Sequence, residues 1–341
     1  MMHAHPKITV VMPVYNCAAY VAEAIDSILG QTYSDFEFII IDDASTDTTL
    51  SIVKSFNDSR IQIVEKPKNT GLTNSLNIGL SLAKGRFIAR MDGDDISLPN
   101  RFELQVAFME HHTQTIACGT NYSILNTGEI KSLPLSNEDT KAQLLYKSCF
   151  AHPTVMLRKS KLDRHHLAYS PEKEPSEDYD FWVRLMQFGE LRNLPEVLLR
   201  YREHKCQVSK SRHQIKKRHN LEIKLNALSY IDYNWTDQDI FLLRKLLFRE
   251  EILSKDEIAK YQVLKRNIVN SNTFYSKEGL LNYFDIIETR MLKDYFLKRT
   301  LFNLQTFMDY IKINKIWGFR LPLLVEIKLL VKSIIKYKIS L

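Results

Sequence analysis

Cysteine is scarce in this 341-residue chain: Cys17, Cys118, Cys149 and Cys206 are far apart and form no CxxC pair. That spacing argues against a disulfide framework and against a cysteine zinc site, so a reducing cytoplasm is the expected compartment. No uncharged run of about 18 apolar residues occurs, and no spanning helix is expected. Met1 to Lys7 is too short and too polar for a signal peptide, so secretion is not expected either. Two nucleotide-binding signatures are also missing. There is no GxxxxGKS/T phosphate loop, and Asn16-Cys17-Ala18-Ala19 stands where a GxGxxG would follow the first strand. Without a glycine loop or a helix-borne lysine, a bound diphosphate would need a metal to neutralise it.

Glycine and proline run out midway along the chain. Of ten each, only Gly279, Gly318 and Pro322 lie beyond residue 196. The chain therefore reads as a turn-rich front and a helical rear, joined by a basic stretch with no acid. That stretch carries Lys205, Lys210, Arg212, Lys216, Lys217 and Arg218. Apolar residues at 45% and charged residues at 26% are ordinary globular values and leave no room for a disordered or fibrous reading. The expected division is a front domain over 7–210 and a helical, basic region over 211–341.

In the front, β-branched runs at Ile8–Met12, Phe36–Ile41, Ile61–Val64 and Arg86–Arg90 alternate with helical patterns. The helices are marked by Val21, Ile25, Ile28 and Leu29, by Thr48 to Phe56 with Ser45 or Thr46 available as cap, and by Leu72, Leu76, Leu80 and Ala83. This rhythm predicts an α/β fold, a Rossmann-like, mainly parallel sheet with helices on both faces. Ligands of such sheets bind beyond the carboxyl ends of the strands. Three polar strand ends meet that description: Pro13-Val14-Tyr15-Asn16, Asp42 to Asp47, and Asp92-Gly93-Asp94-Asp95. Asp92 and Asp94 can face one ion while Asp95 points elsewhere, because i and i+2 share a side in extended chain. Two hard carboxylates with no cysteine nearby suit Mg²⁺ or Mn²⁺ held jointly with a diphosphate. Asp43 could accept from a nucleobase N–H and Tyr15 could pack on the base. Asp42 and Asp47 read as turn and cap residues, and Arg90 as a salt-bridge partner of Asp92.

The ordered series Val10 to Asn16, Ser27-Ile28-Leu29, Gln31-Thr32-Tyr33, Phe36-Glu37, Ile40 to Asp47, Asn69 to Leu72, Asn77-Ile78-Gly79 and Ala89 to Asp95 continues with His152-Pro153, Glu177 to Trp182, Tyr201 to His204 and Ser209. In this it resembles the family-2 inverting glycosyltransferases, enzymes of GT-A fold that use nucleotide-sugar donors, over roughly residues 7–210. The resemblance implies that Pro13, Tyr15 and Asp43 line the base and ribose pocket, with Asp43 the partner of the base. Asp92 and Asp94 fall on the family's DxD, the second acid binding metal and the first reaching the ribose or a metal-bound water. Asp178 falls where the family places its catalytic base. His204 matches a position that in some relatives completes the metal or diphosphate site, and His152 lies in a loop near the acceptor side, with Glu177 a further acceptor-side candidate. Glu177 also reads as a helix cap. A single displacement needs one carboxylate to take the acceptor hydroxyl's proton and a metal to stabilise the leaving group, which suits Asp178 and the DxD. The processive members' QxxRW element is absent, so one sugar per encounter is expected. The histidine doublets His111-His112 and His165-His166 lack metal-ligand spacing and read as surface.

Two alternatives stand beside this reading: a nucleotidyltransferase on a similar sheet, and an inactive module that binds nucleotide sugars. The first usually opens with a glycine-rich phosphate loop, and against the second Asp43, Asp92, Asp94 and Asp178 are all present. UDP-sugars are the commonest donors of similar proteins, and the expected acceptor is a saccharide, lipid-linked if the tail binds membrane. In the rear, Ser254 with Glu257 forms a capping-box signature and Thr236 with Asp239 a weaker one. Residues 311–341 hold seven basic residues against Glu326, +6 of the chain's +7. Lys328, Lys332 and Lys336 recur every fourth residue beside Leu329, Leu330, Val331, Ile334 and Ile335, the pattern of a helix lying on an anionic membrane face. A terminal helix docked with its lysines outward is the alternative. Nucleic acid is not expected, since no aromatics interleave with the basic stripe.

Overall fold

The computed structural model describes residues 5–203, 213–249, 251–298, 301–317 and 320–336. The chain divides into two compact units, Met1–Ile223 and Lys224–Leu341. The division falls inside the helix that spans His213–Leu228.

The first unit opens with β1 (Ile8–Val14), α1 (Val21–Leu29), β2 (Phe36–Asp42), α2 (Thr49–Ser55), β3 (Ile61–Glu65), α3 (Leu72–Leu82) and β4 (Phe87–Arg90). It continues with β5 (Ile96–Ser97), α4 (Arg101–His111), β6 (Thr115–Ile124), β7 (Ile130–Lys131), α5 (Asn137–Leu144), β8 (Met156–Arg158), α6 (Lys159–Arg164), α7 (Glu177–Leu185), β9 (Glu190–Tyr201) and the start of α8 (His213–Leu228). All strands join one nine-stranded sheet in the order β3-β2-β1-β4-β8-β6-β9-β5, with β7 paired to β6.

The first four strands are mutually parallel. β8 then runs antiparallel to both β4 and β6, β9 lies parallel to β6, and β5 closes the row antiparallel to β9. Every residue of β1 is buried, as expected of a strand covered on both faces. Ile8, Val10 and Met12 join a core with Val21, Ala24, Ile25 and Ile28 of α1 and Phe102, Val106 and Met109 of α4. On the other face α3 approaches β1 so closely that a Cβ on Gly79 would lie 2.3 Å from Val11 Cγ1. Helices thus cover both faces, as the alternation implies. One local expectation is corrected. Neither Ser45 nor Thr46 caps α2; Asp47 Oδ1 accepts from Thr49 N at 2.9 Å, while Ser45 and Thr46 are engaged by Asn16.

The second unit takes in the end of α8, then α9 (Asp237–Phe248), α10 (Lys255–Ser271), α11 (Lys277–Leu297), α12 (Leu304–Trp317) and α13 (Leu323–Ile334). Both expected capping boxes form, at Thr236/Asp239 and Ser254/Glu257. Ile258, Tyr261 and Leu264 of α10 and Leu280, Tyr283 and Phe284 of α11 supply buried side chains, and Lys265 and Gln262 both reach Glu288, at 2.8 and 2.9 Å. Among the described residues no helix is long and apolar enough to cross a membrane.

Candidate active site

The sheet reverses its order of growth at β1, which has β2 on one side and β4 on the other. A crevice is expected beyond the carboxyl ends at such a point. Val11 and Pro13 face the same neighbour, and the pairing of β1 with β4 ends at Val11↔Arg90. Pro13 lies beyond the last pair of that ladder, where a residue without an N–H is tolerated in a central strand. Just beyond, Asn16 sits in the left-handed region (φ 49°) and ties the exits of β1 and β2 together. Its N–H donates to Ser45 Oγ, its side-chain amide to Thr46 Oγ1, and its Oδ1 accepts from Thr46 N. Tyr15 is 48% exposed beside this lock.

Asp43 is buried and heavily engaged. It takes Lys66 Nζ at 2.5 Å, Thr70 N at 2.9 Å and Gly71 N at 3.0 Å. A carboxylate offers about four lone-pair sites, and these donors occupy three of them. Lys66 and the Thr70-Gly71 turn are parts of this pocket that the sequence reading missed; Asn69 to Leu72 stood in the matched text without a role.

At the exit of β4, oxygens of Asp92, Asp94 and Asp95 all lie within 4.8 Å of one another. Asp95 was expected to point elsewhere and does not. It is buried, its Oδ1 accepts from Arg202 N at 2.8 Å, and its Oδ2 has no partner. Burial, then the charges of Asp92 and Asp94, push its carboxyl well above the usual carboxylate range. The antiparallel pairing of β5 with β9 delivers Arg202 here, and its Nε also donates to the Asp94 carbonyl at 2.8 Å. Gly93 permits the approach of this loop to β1, since a Cβ would stand 2.9 Å from Val14 Cγ1 and 3.0 Å from Cys17 Sγ. Burial, reinforced by Asp94, pushes the Cys17 thiol up to about 12, so it stays protonated at neutral pH. Three converging hard carboxylates, one with an orphaned buried oxygen, fit a divalent cation such as Mg²⁺ or Mn²⁺.

Arg90 is buried between this acid trio and a second group of side chains. It ion-pairs with Asp92 as expected, and its backbone carbonyl accepts from the fully buried Arg101 at 2.8 Å. Burial, then the charge of Arg90, hold the His152 imidazole well below its ordinary value, so the ring is neutral. His152 Nε2 lies 2.9 Å from Tyr169 Oη, and the ring packs edge-on against Trp182. At the N-terminus of α7, Glu177 is 5% exposed with Oε2 unpartnered. Burial first, and the neighbouring Asp178 second, push its carboxyl up to about 8. Asp178 is half-buried and accepts from the Tyr179 amide, and burial raises its carboxyl as well. The loop before α7 is fastened to the Asp43 side, because Glu174 Oε2 accepts from Thr73 Oγ1 at 2.9 Å and from Thr73 N at 3.2 Å.

The fold thus gathers Asp92 and Asp95 about Arg90, and sets His152, Glu177 and Asp178 within the field of the same guanidinium. His204 lies outside the described residues. His111 and His112 are exposed and turn a ring nitrogen to a carbonyl of their own helix, and His165 and His166 are exposed too, as expected of surface residues. Arg202 and Asp95 are the further site residues; Arg202 stood in the matched Tyr201–His204 text but carried no role there.

Residues 9–167 match the model of the family described as glycosyl transferase family 2. The chain is 39% identical over 215 residues to the O-antigen biosynthesis glycosyltransferase WbnJ of Escherichia coli, covering 60% of this chain and 82% of that one. It is 31% identical over 181 residues, 53% of this chain and 70% of the other, to the Escherichia coli UDP-Glc:alpha-D-GlcNAc-diphosphoundecaprenol beta-1,3-glucosyltransferase WfgD. In three dimensions it superposes on S. aureus TarS 1-349 in complex with UDP-GlcNAc with a TM-score of 0.60 at 17% identity, over 96% of this chain and 92% of that one. The GT-A fold expected from the sequence is therefore present, and the chain belongs to glycosyltransferase family 2.

Proposed function

We propose that this glycosyltransferase moves a sugar from a UDP-sugar to a hydroxyl of a saccharide acceptor in a single displacement that inverts the anomeric carbon. The observation that carries the reading is that two acid groups share one buried arginine. Asp92, Asp94 and Asp95 form one group, and Glu177 with Asp178 the other. The donor's diphosphate belongs at the first group, with Asp94 and Asp92 holding Mn²⁺ or Mg²⁺ and His204 a further contact. Bound there, the cation would offset the charge that builds on the departing diphosphate. Tyr15, Pro13 and Asp43 form the base side, where Asp43 is held rigid by Lys66, Thr70 and Gly71. Asp178 takes the proton of the attacking hydroxyl. Glu177, neutral at physiological pH, leaves that role to its neighbour and can donate a hydrogen bond to the acceptor, with His152 behind it. Relatives named for O-antigen biosynthesis and for an undecaprenol-linked acceptor support a place in surface-polysaccharide assembly with a lipid-linked acceptor.

Proton NMR of the product tests the stereochemistry. With an α-linked UDP-sugar and Mn²⁺, the new linkage is expected to be β, and an α-linked product would overturn the single displacement.

A further inference from the structure

The last helix of the second unit buries only one narrow edge. Leu329 and Ser333 are buried, which corrects the expected apolar row: Leu329 packs inward, and Leu330 is half-buried. The exposed row is longer and starts earlier. Leu323, Leu324, Ile327, Val331, Ile334 and Ile335 stand 71, 81, 48, 49, 58 and 60% exposed. At 3.6 residues per turn these six fall within an arc of about 120°. Lys328 and Lys332 border that arc, and Lys336 follows in the turn after the helix. Lys332 Nζ also sits 4.7 Å over the Phe302 ring. Glu326, the one acid of α13, lies beside Tyr310, as far round the helix from the arc as Lys332 is on its other side. The preceding α12 adds exposed Leu304, Met308 and Ile316 with Lys312 and Lys315.

Isolated exposed leucines need no explanation, but a continuous apolar strip along a whole helix does. The surrounding charge is mainly basic: Lys312, Lys315, Lys328, Lys332 and Lys336 outnumber Asp309 and Glu326. A protein partner could match the apolar strip, but a predominantly basic border suits a surface that is apolar within and negative at its edge. An anionic bilayer is such a surface: acyl chains take the strip and headgroups take the lysines. We infer that α13 is an interfacial helix that docks this chain reversibly on anionic phospholipid, its apolar row inserted and Lys328, Lys332 and Lys336 at headgroup level. The inference is independent of the reading of the active site, and its test requires no turnover.

The test is flotation of the full chain with vesicles of phosphatidylcholine alone or mixed with phosphatidylglycerol. The wild type is expected to float with the mixed vesicles at low salt, to float poorly with phosphatidylcholine, and to be released by salt as the charges are screened. Ile327→Glu with Val331→Glu changes only exposed positions, so its circular dichroism should match the wild type while its bound fraction falls at least about tenfold. Lys328→Gln with Lys336→Gln should lose affinity for the mixed vesicles alone. Failure of the wild type to float, or flotation of the Ile327→Glu/Val331→Glu chain like wild type, overturns the proposal. A concentration-dependent dimer in sedimentation that the same glutamates dissolve, without any vesicle binding, would instead make this face a contact between two copies of the chain.

Discussion

Glu177 is the residue whose protonation the fold controls most visibly. Its ordinary value of 4.5 is pushed to about 8 by burial and by Asp178. The folded state therefore holds this proton more tightly than the unfolded chain does. That contribution to stability is complete below about 4.5 and drains away as the pH rises through about 8. Glu177→Gln keeps the shape without the ionisation, so its melting temperature is expected to vary less between those limits than the wild type's and to exceed it at the alkaline end. Parallel melting curves would expose a Glu177 that ionises freely in the fold. Asp43 obeys a different logic, since its charge is matched by Lys66 with both side chains almost completely buried. Lys66→Met strands the carboxylate and should cost about 3 kcal/mol, read by urea denaturation; a loss under about 1 kcal/mol would mean that water reaches Asp43. Much of this was legible beforehand: Asp43, Asp92, Asp94 and Asp178 each sit at the strand or helix end where the sequence put them. Lys66 and Arg202 were not, because they meet the site through the pairing of β3 with β2 and of β9 with β5, and a lysine or arginine after a strand carries no local signal.

At the scale of elements, helix and strand identities in the front followed from period and punctuation. β1, β2, β3 and β4 and the helices between them fall within a residue or two of expectation. The antiparallel half of the sheet did not announce itself. β5, β7 and β8 are only two or three residues long, too short for any alternation, and their direction is set by what they pair with. Capping boxes, being chemistry over four consecutive residues, were fully readable. Packing between elements was not, and Gly79 is the clearest case. Alanine there would gain about 1 kcal/mol of helix propensity, but its Cβ would lie 2.3 Å from Val11 Cγ1, inside a contact with β1. Overpacking costs about 1–3 kcal/mol, so the steric effect should win and Gly79→Ala should destabilise by about 1 kcal/mol or more. Adding Val11→Ala should recover part of that loss in the overpacked background, although the same change alone destabilises. Equal midpoints for wild type and Gly79→Ala would show that α3 can shift away freely.

For the whole molecule, the two units carry different physics. The first is a sheet whose strand order reverses at β1, with acids beyond its strand ends held by Arg90, Arg202 and Lys66. The second is a set of capped helices that ends in a basic, apolar face. Donor binding, as proposed, engages the first and should depend on its acid trio. In the presence of Mn²⁺, UDP at about 100 times its dissociation constant should add about 2.7 kcal/mol to stability, and Asp94→Ala should erase the metal-dependent part of that gain in a thermal-shift measurement. Separation of binding from chemistry is the central claim, and Asp178 is where it can be measured. Asp178→Asn should bind the UDP-sugar in Mn²⁺ by calorimetry with affinity close to wild type, while its turnover falls by roughly 10² to 10⁴, the loss expected when general-base help is removed. Loss of donor affinity in a folded Asp178→Asn chain, or turnover that survives the substitution, would contradict the assignment of Asp178 as the base.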